Sequence, residues 1–257
     1  MPNWKKATVQ ISGISPLMMG AMSLAQKLSL PGAPGGTAKK IQQKKDATDI
    51  EIAEAKIYRD KDGKMGIPQQ NVFAMLKHAG RRVPYGAGKS KCSTAESTFL
   101  PEFLRLKATS VDEGGDPFFL FDNLDKSGNL QFKVDMRRGV NKATDGAMCV
   151  VRPKFMNWGL TIELEFDASL VNPDTITALF TNASTGSGLC EFRPNKGGPF
   201  GCFEVKKTVG LEPLAKNEQP QAEAGEEGAE AAELPEAVAG RNGHGAPKTG
   251  EAALSVT

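Results

Sequence analysis

The densest chemistry in the sequence sits in one stretch, Gly186-Ser187-Gly188-Leu189-Cys190-Glu191-Phe192-Arg193-Pro194-Asn195-Lys196-Gly197-Gly198-Pro199-Phe200-Gly201. Its glycines let main chain approach something large. Arg193 and Lys196 suit phosphates, and Phe192 and Phe200 between them suit base stacking. The plain alternative is a loop that packs helix on sheet, with its rings in the core. Glycine this dense beside two bases tips the reading toward a nucleic-acid backbone.

Other bases fall in short clusters: Lys44 and Lys45, Arg81 and Arg82, Lys89, Arg137 and Arg138, Arg152 and Lys154. With Phe192, Arg193, Lys196 and Phe200 they make up the predicted nucleic-acid-binding set. Trp158 follows Arg152-Pro153-Lys154-Phe155-Met156-Asn157, where it either stacks on a base or enters the core. His78, beside the apolar face of a predicted helix, is the one catalytic candidate. Its reaction would be general acid–base attack of a ribose hydroxyl on RNA. No partner residue in the sequence forces that reading, and a packed or solvated histidine is the commoner outcome.

Two motifs fall short. Gly86-Ala87-Gly88-Lys89-Ser90 resembles a phosphate loop, but the required earlier glycine is Val83, and a helix rather than a strand comes first. Asn123-Leu124-Asp125-Lys126-Ser127-Gly128 opens like a calcium loop, but its twelfth position is Val134 instead of glutamate. A basic loop and a hairpin turn are the better readings. With only His78 and His244, chemistry that needs several histidines is excluded, and Cys92, Cys149, Cys190 and Cys202 form no C-x-x-C pair. No metal and no cofactor are predicted.

These side chains need a scaffold. Ala7-Thr8-Val9-Gln10-Ile11 alternates as a half-buried strand, and Leu160, Ile162, Leu164 and Phe166 alternate more clearly still. Residues 100–107, 117–121, 130–134, 147–151 and 202–206 also read as strands. Residues 51–58 are ambiguous between strand and helix. Pro68 to Ala79 reads as a helix with Val72, Met75, Leu76 and Ala79 in one stripe and Gly80 as its cap. A second helix starts from Asn172 as N-cap and Pro173, with Val171 able to staple onto Ile176, and runs to about Ala183. The order predicts an α+β fold, an RRM-like or ferredoxin-like βαββαβ core with inserted hairpins and loops.

Charge divides the 257 residues. From Asn217 to Thr257 eight glutamates face only Arg241 and Lys248, a net −6, which leaves +8 on residues 1–216. A basic body with an acidic tail suggests a polyanion partner, with the tail a possible competitor for the same surface. The tail's Ala, Glu, Gly and Pro composition predicts disorder. Predicted domains are therefore 1–216, nucleic-acid-binding with a basic loop insertion at about 20–56, and 217–257, a disordered acidic tail. No apolar run approaches the roughly 18 residues of a membrane span. Residues 1–6 lead into no apolar segment, which predicts no secretory signal, and the scattered cysteines predict reduced thiols in a cytoplasmic protein.

A first strand ending in Gly13, a helix opening with Gly66-Ile67-Pro68, and the late glycine-rich loop with its arginine and phenylalanines resemble the RAMP superfamily of CRISPR-associated proteins. Within it the chain is most similar to the backbone subunits that coat guide RNA, over roughly residues 7–206. The resemblance implies an RRM-like core, RNA along the basic loops, head-to-tail copies in a homo-oligomer or filament, and other effector subunits as partners. It also implies a thumb-like role for the 20–56 insertion. His78 is matched loosely to the helix histidine of the family's RNA-processing enzymes. Asp46 and Asp49 align with no target-cleaving aspartate. The acidic tail is similar instead to those of phage or bacterial single-strand DNA-binding proteins. The leading expectation is a non-enzymatic RNA-binding backbone subunit. The alternatives are a phage or mobile-element single-stranded DNA-binding or annealing protein, and a metal-independent endoribonuclease using His78.

Overall fold

The alternation of Ala7, Val9 and Ile11 produces β1 (Trp4–Gly13), and these three side chains point into the core. β1 lies inside a four-stranded antiparallel sheet. On one side it pairs with β9 (Gly159–Asp167) and on the other with β10 (Phe203–Val209), while β4 (Leu104–Lys107) closes the far edge against β9. One long helix, α2 (Gln69–Ala79), falls between β1 and β4, and another, α4 (Pro173–Gly186), between β9 and β10. Counting only these strands, the spatial order is fourth, first, third, second, the βαββαβ arrangement expected from the sequence. The computed structural model describes residues 1–22, 47–86, 90–140 and 146–212. Lys44, Lys45, Lys89, most of the 20–56 insertion and the acidic tail lie outside the described residues.

Local chemistry explains both long helices. α2 buries Val72, Met75, Leu76 and Ala79, the stripe read from the sequence. Pro68 is not its first residue. It ends the short β3 (Gly66–Pro68) and serves as N-cap, at φ −57° and ψ 137°. At the other end Gly80 keeps a right-handed helical φ, so it is chosen for space: a Cβ would stand 2.8 Å from Ser93 Oγ. Asn172 caps α4 as expected, its Oδ1 accepting from the Thr175 amide at 2.9 Å. Removing such a cap costs about 1 kcal/mol. α4 continues to Gly186, beyond the expected end.

Several insertions differ from expectation. Residues 100–107 split into a short helix α3 (Leu100–Phe103) and β4, because Pro101 can open a helix but cannot donate to a ladder. A helix, α1 (Asp49–Glu54), covers the start of the ambiguous 51–58 segment and is fixed by a capping box between Thr48 and Glu51. Asp125 does organise the expected turn, accepting from the amides of Ser127 and Asn129, but its flanks do not form a hairpin. Instead β6 (Pro117–Leu120) pairs with β3 and with β5 (Ser110–Val111). The chain then forms β7 (Lys133–Val140), which pairs with β8 (Ala147–Phe155), and β8 pairs with β2 (Leu17–Met18).

Phe103, Phe118, Phe119, Phe155, Phe166, Phe180 and Phe203 are fully buried, each contributing about 2–3 kcal/mol against exposure. Trp158 is core as well. Its Nε1 donates to the Ser15 carbonyl at 2.9 Å, and the indole occupies the space a Cβ on Gly13 would need, 2.1 Å from Nε1. The four cysteines are all free thiols. Among the described residues no helix is long and apolar enough to cross a membrane.

Candidate nucleic-acid interface

RRM-like sheets commonly stack bases on aromatic rings of the open sheet face. Here the strand registers put Lys6, Thr8 and Gln10 of β1 beside Thr161, Glu163 and Glu165 of β9, with Arg105 and Lys107 of β4 at the edge. Lys107 pairs with Glu165 at 3.1 Å. The one ring at this end, Trp4, is covered by the Arg105 guanidinium at 3.9 Å. Such a surface offers no stacking platform and includes two carboxylates that repel phosphate.

The cations gather elsewhere. The last turn of α2 meets the C-cap of α4, where His78 Nδ1 lies 2.8 Å from the Ser187 hydroxyl. Arg82 reaches the end of α4, its Nη1 standing 2.9 Å from where a Gly186 Cβ would be. Arg81, Arg82, Arg193 and Lys196 all act electrostatically on His78, from positions more than a hundred residues apart in the chain. Two helix C-termini supply together about one negative charge. Four cations exceed that, and among the described residues none of the four pairs with a carboxylate. Arg193 is also structural: its Nε donates to Asn195 and its Nη1 to the Cys190 carbonyl.

Glycines in the late loop serve the loop itself first. A Cβ on Gly198 would stand 1.9 Å from the Phe192 carbonyl oxygen, and one on Gly201, at φ +70°, 2.1 Å from that of Leu189. The two limbs are thus pressed backbone to backbone. The folded loop lines a cleft of about 470 Å³ with Tyr58, Asn71, Arg152, Phe192, Arg193 and Lys196. A larger groove of about 1160 Å³, including Arg59, Asn123, Asp125, Phe132 and Met156, mixes amides, apolar groups and carboxylates without a comparable set of cations.

The other described bases of the sequence set, Arg137, Arg138, Arg152 and Lys154, each have a definite place. Arg152 pairs with Glu191 of the loop at 3.0 Å. Lys154 and Arg137 both hold Asp135. Arg137 also lies over the loop, 4.7 Å from the Phe200 ring centre and 5.5 Å from that of Phe192. Phe200 is buried, whereas Phe192 is 38% exposed. Arg138 projects from the other face of β7, because successive strand residues alternate. Sequence reasoning missed Tyr58, Asn71, Ser187 and Asp135. Only Asp135 had a local signal, its i,i+2 spacing from Arg137, which puts the two on one face because β7 runs on past the expected 130–134 strand.

His78 is held below the ordinary histidine range, chiefly by burial and then by the four cations, so it is neutral at pH 7. Below about pH 6.5 the unfolded chain takes up a proton that the native imidazole resists, so stability present above that pH is lost as pH falls through it. We expect the thermal midpoint of the protein to fall on acidification from about pH 7.5 to 5.5 more steeply than that of His78→Gln. Parallel curves would remove His78 from the pH response. Among the described residues no cluster of histidine, cysteine and acidic side chains could hold a metal.

Comparison with known proteins adds little. No protein-family model matches the sequence, and no curated protein matches it. Among solved structures, a chain of the Type III-B Cmr-beta complex bound to cognate target RNA is similar in fold at 11% identity and a TM-score of 0.39. That alignment covers 80% of this chain, which spans 60% of the other. A similarity of that size carries no functional argument.

Proposed function

We propose that the protein binds single-stranded nucleic acid, RNA in preference to DNA, with residues 1–216 as the binding domain. The carrying observation is the gathering of Arg81, Arg82, Arg193 and Lys196 around the junction of α2 and α4, without carboxylate partners among the described residues. Phosphates are the partner chemistry that suits an uncompensated cationic surface beside an exposed aromatic ring. The preference for RNA, and a finer role coating guide RNA as head-to-tail copies with other effector subunits, rest on the resemblance of Gly13, Gly66-Ile67-Pro68 and the glycine-rich loop to RAMP backbone subunits.

The test starts with the purified full chain. Its absorbance ratio at 260 and 280 nm is measured, and co-purifying nucleic acid is digested with RNase or DNase. Added RNA and DNA of one sequence are then titrated in EDTA. The expected result is uniform RNA removed by RNase, tighter binding of RNA than DNA, and no cleavage. Material removed only by DNase would transfer the reading to single-strand DNA binding. Cleavage in EDTA that His78→Ala abolishes would make the protein an endoribonuclease. A clean protein that binds neither strand at low salt would overturn the proposal.

A further inference from the structure

We propose that Asp135 is a positioning residue: it fixes the Arg137 guanidinium against Phe192 and Phe200, so that Arg137 and the open side of Phe192 receive one unstacked base of a single strand. The inference rests on the single-strand reading above. It adds which part of the surface takes a base rather than a phosphate.

The alternation along β7 puts Asp135 and Arg137 on one face. Arg137 Nε donates to Asp135 Oδ2 at 2.6 Å and Nη2 to Oδ1 at 3.3 Å, a two-point grip that fixes the plane of the guanidinium. Lys154 Nζ anchors the carboxylate from the neighbouring strand at 3.0 Å. The carboxylate itself is nearly buried, while the Arg137 side chain is 42% exposed. The grip uses two of the five guanidinium N–H donors, and among the described residues no other acceptor takes the remaining three; a flat face lies toward the rings.

Phe192 bears two costs at one position. Its backbone is left-handed, at φ 51°, a conformation rarely taken by residues with a side chain. Phe192 is also 38% exposed, more than any other phenylalanine in the described structure. The loop enforces this geometry. Gly198 makes room for the Phe192 carbonyl, and the Phe200 amide donates to that same oxygen at 3.2 Å. Strain retained around an exposed ring points to a ligand for the ring. Asp135 and Glu191 cancel much of the local positive charge, which disfavours phosphate at this spot and suits the uncharged face of a base. Arg193 and Lys196 line the same cleft as Phe192 and are placed to take the adjoining phosphates.

The experiment uses the full chain and a single-stranded RNA carrying 2-aminopurine, whose fluorescence is quenched on stacking. Wild type is expected to quench it. Asp135→Asn is expected to lose the quench and bind about tenfold more weakly, the lower range of one lost base stack. Simple charge counting gives the opposite sign, because this substitution removes a negative group from a polyanion site. Arg137→Lys keeps the charge but not the planar fork, and is expected to lose the quench with an unchanged salt slope. Asp135→Asn that binds as tightly as wild type with the quench intact would overturn the proposal. If Asp135→Asn fails to fold, Arg137→Lys and Phe192→Ala decide, and retained quenching in either overturns it. Wild type that binds single strands without quenching removes the base clamp alone. Wild type that binds no single strand removes this proposal together with the reading beneath it.

Discussion

Arg81→Ala combined with Lys196→Ala is expected to lower the salt slope of single-strand binding by about 1.4, because each phosphate contact contributes about 0.7. A contact with that slope is worth about fivefold between 1 M and 0.1 M salt, so the pair should cost about 25-fold in affinity at 0.1 M. These two are the cleanest probes of the cationic junction. Both are exposed, and neither anchors the loop as Arg193 does through Asn195 and the Cys190 carbonyl. Arg138→Ala, on the opposite face of β7, is the natural comparison and is expected to act only through long-range charge. Titration by fluorescence anisotropy from about 0.05 to 0.5 M salt measures both quantities. An unchanged slope in the double variant would mean that the junction does not hold phosphates.

The second large effect is on folding. Gly201→Ala is expected to destabilise the native state by about 3 kcal/mol or more, which for a domain of this size lowers the thermal midpoint by about 6–12 °C. Two causes add there: φ is +70°, and the new Cβ would stand 2.1 Å from the Leu189 carbonyl oxygen, a backbone atom that cannot turn aside. Gly197→Ala separates the two. Its φ is +77°, but nothing lies within 4 Å of the new carbon, so only the left-handed penalty of about 1–2 kcal/mol remains. Equal losses at both positions, read by calorimetry, would show that the pressed backbones of the loop do not hold it together.

The sequence revealed what is local. β9 and the helix after Asn172 were legible because alternation and a cap need only near neighbours. β1 and the stripe of α2 were legible for the same reason, and together they were enough for the βαββαβ order. What stayed hidden depends on distant residues. Nothing around Trp158 announces that Ser15 will accept its N–H. The loop glycines looked like room for a ligand, but their nearest neighbours are the loop's own carbonyls. The expected hairpin across Asp122 to Gly128 failed because β6 paired instead with β5 just before it and with β3 about fifty residues away. The basic set was legible as residue types, but its sorting was not. Among the described residues one group converges without carboxylate partners, another is tied to Asp135 and Glu191, and Arg138 turns away.

The position of β1 also constrains when the fold can form. Trp4 pairs with Asp167, and Thr8 with Val209. Ribosomes make about 5–20 residues per second, so β1 waits on the order of ten seconds or more for its neighbours. Until then the central strand has both edges open, and contacts this far apart in sequence make for slow closure. The last strand to emerge, β10, completes the sheet and pulls the glycine-rich loop across the end of α4. Chains made only as far as α4 therefore carry Arg81 and Arg82 without Arg193, Lys196 and the strand that closes the sheet beside them.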